Sequence, residues 1–458
     1  MTAVHPGPVF LPQPATAAVS LPWVVRMVVL YLGSITILGK GPTYLIYPPL
    51  FWGEMVMLAA MIWLVDRHGL TKAFVPYADS LTASVAAFMA VGLIVTVQCY
   101  PMFQLDAIRD SALWYYGAFF FAGAQIAKDV RVADRTWRIL RICWVVGMFW
   151  GIGDQLSGLT LSRIGPVLPW RGEPLLSNSH YEIVQHMGLA SLIVLNPALS
   201  QDILGKWRSF FLPVGVLGLV LAFVSTGRGV RVGLALSVVA MLVMHLAPGP
   251  RLAVSSRLVA GIVPIAVVAV AMLTVLPSED KRTLAKAASL DRFTESRGVA
   301  SDNAYWRLIW WERLYAEVMT QNPALGLGFG QSLSVYNPYL KSNEREQWPV
   351  RSPHNVNITI FSRMGIAGLT CWLFVLLAGF GGLWRRIWTG RTAGITLSGL
   401  RREELAFWFM MLTTTWVNSS FAVLMEGPVL GIWFWFALGF AWTRSLPAGQ
   451  PNRRGLNI

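Results

Sequence analysis

Apolar residues run along this chain in long blocks, each near the roughly 20 positions that carry a helix across a hydrocarbon core about 30 Å thick. Blocks bounded by charge, Gly or Pro fall near 21–39, 45–65, 80–98, 111–127, 137–158, 180–196, 209–226, 229–246, 257–276, 354–383, 404–425 and 428–446. The pattern predicts an all-α fold, a polytopic membrane helix bundle of about 12 transmembrane helices. One connection differs. Residues 277–353 form a loop with ten basic and nine acidic residues between helices 9 and 10, and loops of that length are usually functional. Inside it, Asn303–Gln321 repeats Tyr305, Leu308, Trp311, Tyr315 and Val318 at helical spacing, with Arg307, Arg313 and Glu317 as polar members. Such a helix suits a membrane surface. The expected organisation is an N-terminal bundle of about nine spans (1–276), a helical loop domain (277–353) and a C-terminal bundle of about three spans (354–458).

Composition sharpens this picture. Of 458 residues, 55% are hydrophobic and 13% charged, about half the charge of a soluble domain. Soluble-enzyme and disordered classes are thereby excluded. The net charge of +14 follows from sorting of Lys and Arg to one membrane side. One set of loops holds Arg67, Lys72, Lys128, Arg131, Arg135, Lys206, Arg208, Arg251 and Arg257, then Arg385, Arg386, Arg391, Arg401 and Arg402, and finally Arg444, Arg453 and Arg454. The opposite short loops hold only Lys40, Arg109, Arg163, Arg171 and Arg228. That asymmetry makes both termini cytoplasmic and sets residues 277–353 outside. Nucleic acid is not an expected partner, because no soluble basic face exists to bind it. Residues 1–20 lack Lys and Arg, so the first block is expected to remain as a span rather than leave as a signal peptide. Cys99, Cys143 and Cys371 have no metal-ligand spacing, and the outer acids Asp302, Glu312 and Glu317 are dispersed among basic residues. Neither a metal nor any other cofactor is expected.

Three places combine charge with a purposeful position. Ser225-Thr226-Gly227-Arg228-Gly229, with Arg231 just beyond, sets arginine at an outer helix end against the positive-inside bias. Its planar fork suits phosphate oxygens; the bland alternative is an arginine snorkelling to the interface. Arg307, within Tyr305–Trp311, precedes the run Asn322-Pro323-Ala324-Leu325-Gly326-Leu327-Gly328-Phe329-Gly330. These glycines permit close approach of another chain or a ligand, or merely a turn, and no Lys-Ser/Thr follows as a P-loop would require. Third comes Arg351-Ser352-Pro353-His354-Asn355, where Ser352 fits an N-cap and Pro353 the first helical position. His354 would then lie in the first turn, where the helix dipole disfavours imidazolium and an anion is welcome.

Further ionisable groups lie within the blocks. Glu54 and Arg363 share a depth of roughly 13 Å, and a mutual salt bridge is expected because an unpaired charge there is expensive. Asp154, His180, Glu182 and His186 gather at the outer ends of spans five and six, and Thr413–Thr415 with Asn418–Ser420 make span eleven polar toward the same side. These groups describe either a polar substrate cavity or hydrogen bonds between helices.

At these residues the chain resembles the O-antigen ligase and polymerase family of bacterial inner membranes. The resemblance rests on Ser225–Gly229, on Arg307–Trp311 leading into Pro323–Gly328, and on His354-Asn355 leading into Met364-Gly365-Ile366-Ala367-Gly368. It implies a glycosyltransferase at the periplasmic face of the inner membrane that moves a glycan from undecaprenyl diphosphate to an acceptor hydroxyl. The acceptor is lipid A core for ligases, another carrier-linked repeat for polymerases and a protein for related transferases. By similarity, Arg228 and Arg307 match the family's diphosphate-binding arginines and His354 its essential loop histidine. Arg231, Arg313, Arg351, Asn355, His180 and Glu182 are supporting candidates. Arg363 stands where many members have Glu, a departure pointing to a different acceptor.

The chemistry is consistent with the residues. A sugar diphosphate leaves as a weak base, so stabilisation of developing negative charge is the main requirement, and arginines supply it without a metal. A neutral His354 would take the acceptor proton, and single displacement would invert the anomeric centre. An O-antigen ligase is the first expectation, an O-antigen or exopolysaccharide polymerase the second. A lipid-linked glycan flippase is the reading from another class; it calls for charge through the full depth of the bundle, whereas here charge gathers in the outer half.

Overall fold

The structure, a computed structural model, describes residues 21–45, 51–74, 76–157, 166–168, 180–224, 228–245, 305–337, 352–392, 395–397 and 399–446. Helices α1 (Trp23–Leu38), α2 (Trp52–Phe74) and α3 (Ser80–Phe103) come first, with Asp79 capping α3 by accepting the Thr82 amide at 2.8 Å. The short α4 (Leu105–Asp110) and α5 (Ala112–Tyr115) lead into α6 (Ala118–Lys128) and α7 (Val130–Leu156). Next are α8 (His180–Leu195), α9 (Pro197–Leu204), α10 (Arg208–Val224) and α11 (Arg228–His245). After α12 (Tyr305–Gln321) come α13 (Val356–Leu376), a π-helical turn over Leu377–Gly381, and α14 (Gly382–Thr389). The two-residue strands β1 (Arg391–Thr392) and β2 (Ile395–Thr396) pair antiparallel before α15 (Gly399–Ser419) and α16 (Leu430–Arg444).

The apolar blocks thus become helices, although the second starts late, at Trp52. The block at 257–276 lies outside the described residues. Ser80–Phe103, Val130–Leu156, Pro197–Val224 and Val356–Thr389 are long and apolar enough to cross a membrane, and Trp23–Leu38, Glu182–Leu195 and Gly229–Ala240 are shorter apolar helices. This is a helical membrane protein.

Core packing explains why α16 is hydrophobic all round: every residue from Leu430 to Arg444 is buried. Its main neighbour is α6. Glycines let the two backbones approach, since a Cβ on Gly439 would lie 3.0 Å from Phe120 Cα and one on Gly123 3.1 Å from Phe440 N. Indoles fill the space beside them, with Trp144 stacked on Trp433 at 4.6 Å and Trp137 against Trp408 at 4.8 Å. Around this centre, α8 packs on α7 and α10, α11 on α15, and α13 on α3 and α12.

One end of the bundle is closed by ion pairs. Arg444, at the end of α16, bonds Glu404 at 2.8 Å and also Asp134. Arg141 holds Asp202 at 2.7 Å, and Asn196 donates to Glu403 at 2.7 Å. Arg386 lies 3.9 Å over the Trp442 ring. These residues come from the loops, and the helix ends beside them, that the charge asymmetry assigns to one side.

Candidate functional site

The opposite end is organised by a break in α13. Gly365 has φ +61, a left-handed conformation that interrupts the helix. The glycine run after α12 inserts into this gap. Leu327 N donates to Ser362 O at 2.7 Å and Gly328 N to Arg363 O at 3.2 Å. Beyond the break, Ile366 N donates to Pro323 O at 2.9 Å and Ala367 N to Ala324 O at 3.1 Å. The backbone groups that the kink frees are therefore paired again by the loop, as buried polar groups require. Gly326 is also left-handed (φ +75), and a Cβ there would lie 2.6 Å from Gly365 N. Two glycine motifs separated in sequence are one structure in space. The run is a plug for α13, with Gly330 N spent on Asp110 Oδ2 at 3.2 Å as well.

Arg363 locks the plug. It donates to Gly328 O at 3.0 Å and to Gln331 O, and pairs with Asp110 at 2.9 Å, both side chains being buried. The expected Glu54–Arg363 bridge is therefore wrong. Depth arithmetic assumed straight helices, but the break in α13 and the short α4 bring Asp110 to the arginine, while Glu54 accepts from Tyr116 at 2.8 Å and Tyr115 at 3.2 Å. Arg363 thus holds the glycine loop.

Helix α12 fixes the next group. Trp310, Leu314 and Val318 form its buried face, and Trp310 Nε1 donates to Leu333 O at 3.0 Å. Leu308 and Tyr315, expected on the apolar stripe, are exposed; packing on α13 and on Leu333 selects the neighbouring stripe. Arg307 Nη1 donates to Phe421 O, just beyond α15, at 2.9 Å. Trp311 Nε1 donates to Pro353 O at 2.8 Å.

His354 follows directly. The cap of α13 is Asn355, whose side chain accepts from Asn357 N at 3.0 Å and Ile358 N at 3.3 Å. The Ser352 cap assignment is corrected: both residue types can cap, but Asn355 sits immediately before Val356, and Ser352 instead donates to Glu426 at 2.7 Å. His354 therefore lies ahead of the helix, with a left-handed φ of +57. Burial first, then the Arg307 charge, lower its pKa to about 4, against a backbone hydrogen bond with Ser352 that raises it. The imidazole is neutral at pH 7, by desolvation and a neighbouring cation rather than by a first-turn position.

The remaining candidates are placed as follows. Arg228 opens α11. Its neighbour Gly229 packs on the end of α15, where a Cβ would lie 2.7 Å from Asn418 Oδ1 and 3.1 Å from Phe421 Cβ. Phe421 thus touches the Arg228 segment and accepts from Arg307. Arg231 is half-buried one turn into α11, and Arg313 is exposed on α12. Arg351 lies outside the described residues. His180 starts α8, and Glu182 is buried in that helix's first turn, with Oε1 4.0 Å from a Cβ built on Gly427. His186 accepts from Trp144 Nε1 at 2.9 Å, and Asp154 is buried near the end of α7. Among the polar residues of α15, Thr415 and Asn418 bond Gln185 of α8 at 2.6 and 3.0 Å, as helix-to-helix hydrogen bonds.

Residues 213–373 match the family model described as O-antigen ligase. That segment, about a third of the chain, is similar to the O-antigen ligase family. A comparison with curated proteins gives no match. In this matched segment lie Arg228, Arg307, the glycine plug, His354 and Gly365. The match supports a membrane glycosyltransferase of the O-antigen ligase and polymerase type, a class whose partners are a lipid-linked glycan and an acceptor. Sequence reasoning missed Glu426 and Asp110. The signal for Glu426 was an acid in Glu426-Gly427-Pro428, a turn between two apolar blocks at the site's end.

Proposed function

We propose that the protein is an inverting, metal-independent O-antigen ligase of the bacterial inner membrane. It transfers a glycan from undecaprenyl diphosphate to a hydroxyl of lipid A core at the periplasmic face. The observation that carries this reading is the hydrogen bond from Arg307 to the Phe421 carbonyl, beside which the Arg228 segment also packs, with the Arg307 charge felt at His354.

In this mechanism Arg228 and Arg307 receive the diphosphate. Guanidinium forks match phosphate oxygens and stabilise charge that builds on the leaving oxygen; one such donor is typically worth about 3–4 kcal/mol of barrier. His354 accepts the proton of the incoming acceptor hydroxyl as that oxygen attacks the anomeric carbon from the side opposite the diphosphate. The carbon–oxygen bond to the carrier breaks, the electron pair leaves with the diphosphate, and the configuration inverts. A base of low pKa is weak in the free enzyme, but a bound dianion beside Arg307 favours imidazolium and raises its basicity. Residues 277–353 serve as a cap between the bundles 1–276 and 354–458, and both termini are cytoplasmic.

Glycan analysis of a deletion strain tests the acceptor. Accumulation of O-chains on the carrier, with the core left without them, supports the ligase; core bearing single repeats marks a polymerase instead. Purified protein in detergent separates both from a flippase, since only a transferase forms a glycosidic bond without a membrane.

A further inference from the structure

We propose that Glu426 is a positioning residue for His354, acting through Ser352. The inference rests on the reading of His354 as the base. His354 holds a left-handed backbone, which a residue with a side chain keeps only when its surroundings over-determine it. Its neighbours supply that determination from three different elements. Glu426, in the turn before α16, accepts from Ser352 Oγ at 2.7 Å. Trp311 of α12 donates to Pro353 O at 2.8 Å. Asn355 caps α13 while its carbonyl accepts from Thr359 Oγ1 at 2.9 Å, and Thr359 Oγ1 lies 3.1 Å from Ser352 Oγ. The residues on either side of the histidine are thus tied down, which fixes the backbone that carries the imidazole.

Glu426 is the anchor of this arrangement because its own turn is fixed: Tyr31 donates to Pro428 O at 3.2 Å. Burial pushes its carboxyl up from the ordinary range, against hydrogen bonds from Ser352 and Thr359 and the Arg363 charge. What Ser352 requires is an acceptor oxygen at a set place, which an amide also offers. The role is geometric rather than electrostatic.

The test uses the purified full-length protein in detergent with carrier-diphosphate glycan and acceptor. Glu426→Ala and Ser352→Ala are expected to lower kcat by about 10- to 100-fold, as misplacement of a reacting group does. Donor KM should stay within about twofold, since the diphosphate-binding contacts remain. Glu426→Gln should restore kcat to within about threefold of wild type, because its amide oxygen replaces the lost acceptor. Wild-type kcat in Glu426→Ala, or Glu426→Gln as slow as the alanine variant, would overturn the proposal. Should Glu426→Ala not fold, Ser352→Ala against Ser352→Thr gives the same comparison, with the retained hydroxyl expected to recover the rate and equal loss in both overturning the inference. His354→Ala is run in parallel. An active His354→Ala defeats the base assignment itself; an inactive one beside a fully active Glu426→Ala defeats only the inference about Glu426.

Discussion

The two ends of the bundle solve the problem of charge near an apolar core in opposite ways. At one, Arg444 meets Glu404 and Asp134, Arg141 meets Asp202, and Asn196 meets Glu403. Cation and carboxylate are brought together there, and the contacts tie neighbouring helices to one another. At the other end Arg307 donates to a neutral carbonyl of Phe421 and sits beside a neutral imidazole. Among the described residues at this end, Arg363 pairs with Asp110 deeper in, and Arg109 with Asp106 and Asp110. A closed ion pair holds helices; in the proposed ligase the guanidinium at the other end meets the field of a bound anion as well. The same residue type serves structure at one end and, in the proposed ligase, chemistry at the other.

The comparison breaks most sharply at His354 and Arg307. His354→Ala should cost about 10²–10⁴ in transfer rate, the usual worth of a general base. Arg307→Ala should cost about 10²–10³, as removal of one charge-stabilising donor does. Both should insert and express near wild-type level, measured by membrane yield alongside detergent-phase glycan transfer. Full activity in either would reduce this end to structure. The reciprocal experiment is Arg444→Ala, which takes the 2.8 Å partner from buried Glu404 and leaves it Arg401 at 3.8 Å. A loss of stability of about 3–5 kcal/mol is expected for a broken buried pair, read by thermal unfolding in detergent, while the rate per folded molecule stays unchanged. A catalytic defect without destabilisation would show that the closed end is not merely structural.

Between these lies the glycine plug. Gly365→Ala forces a left-handed conformation on a side chain, costing about 1–3 kcal/mol, and its Cβ would press to 2.5 Å from Ala324 backbone atoms. Stability and activity should fall together here, because the same loop joins α12 to α13. A variant with normal thermal unfolding and normal rate would mean that the plug can open without consequence.

Much of the fold was legible because helices in apolar blocks leave a strong signal. The block at 428–446 predicted α16 to within a few residues, yet nothing in hydropathy distinguishes a helix facing lipid from one buried on every side, as α16 is. His354 and Arg307 were legible because polar groups beside apolar blocks stand out. Their company was not: pairing Arg363 with Glu54 required straight helices, and Gly365 bends the one that matters. Glu426 escaped for a related reason, since its partner Ser352 lies 74 positions away and only tertiary structure brings the two together.

The smallest expected effect concerns acidity, and it separates the two accounts of His354. A histidine in its ordinary state titrates near 6.5, so an enzyme needing it neutral would lose transfer as the pH drops through that value. Here desolvation, and then Arg307, depress the pKa to about 4. The neutral form is the active one, it persists while pH exceeds the folded-state pKa, and protonation inactivates only below it. Transfer measured as kcat/KM, which reports the free enzyme, should therefore change by less than about twofold between pH 7 and pH 5.5 and decline as the pH approaches about 4. An acid limb near 6.5 would place the imidazole in solvent away from Arg307, and the contrast between the two ends would lose its catalytic half.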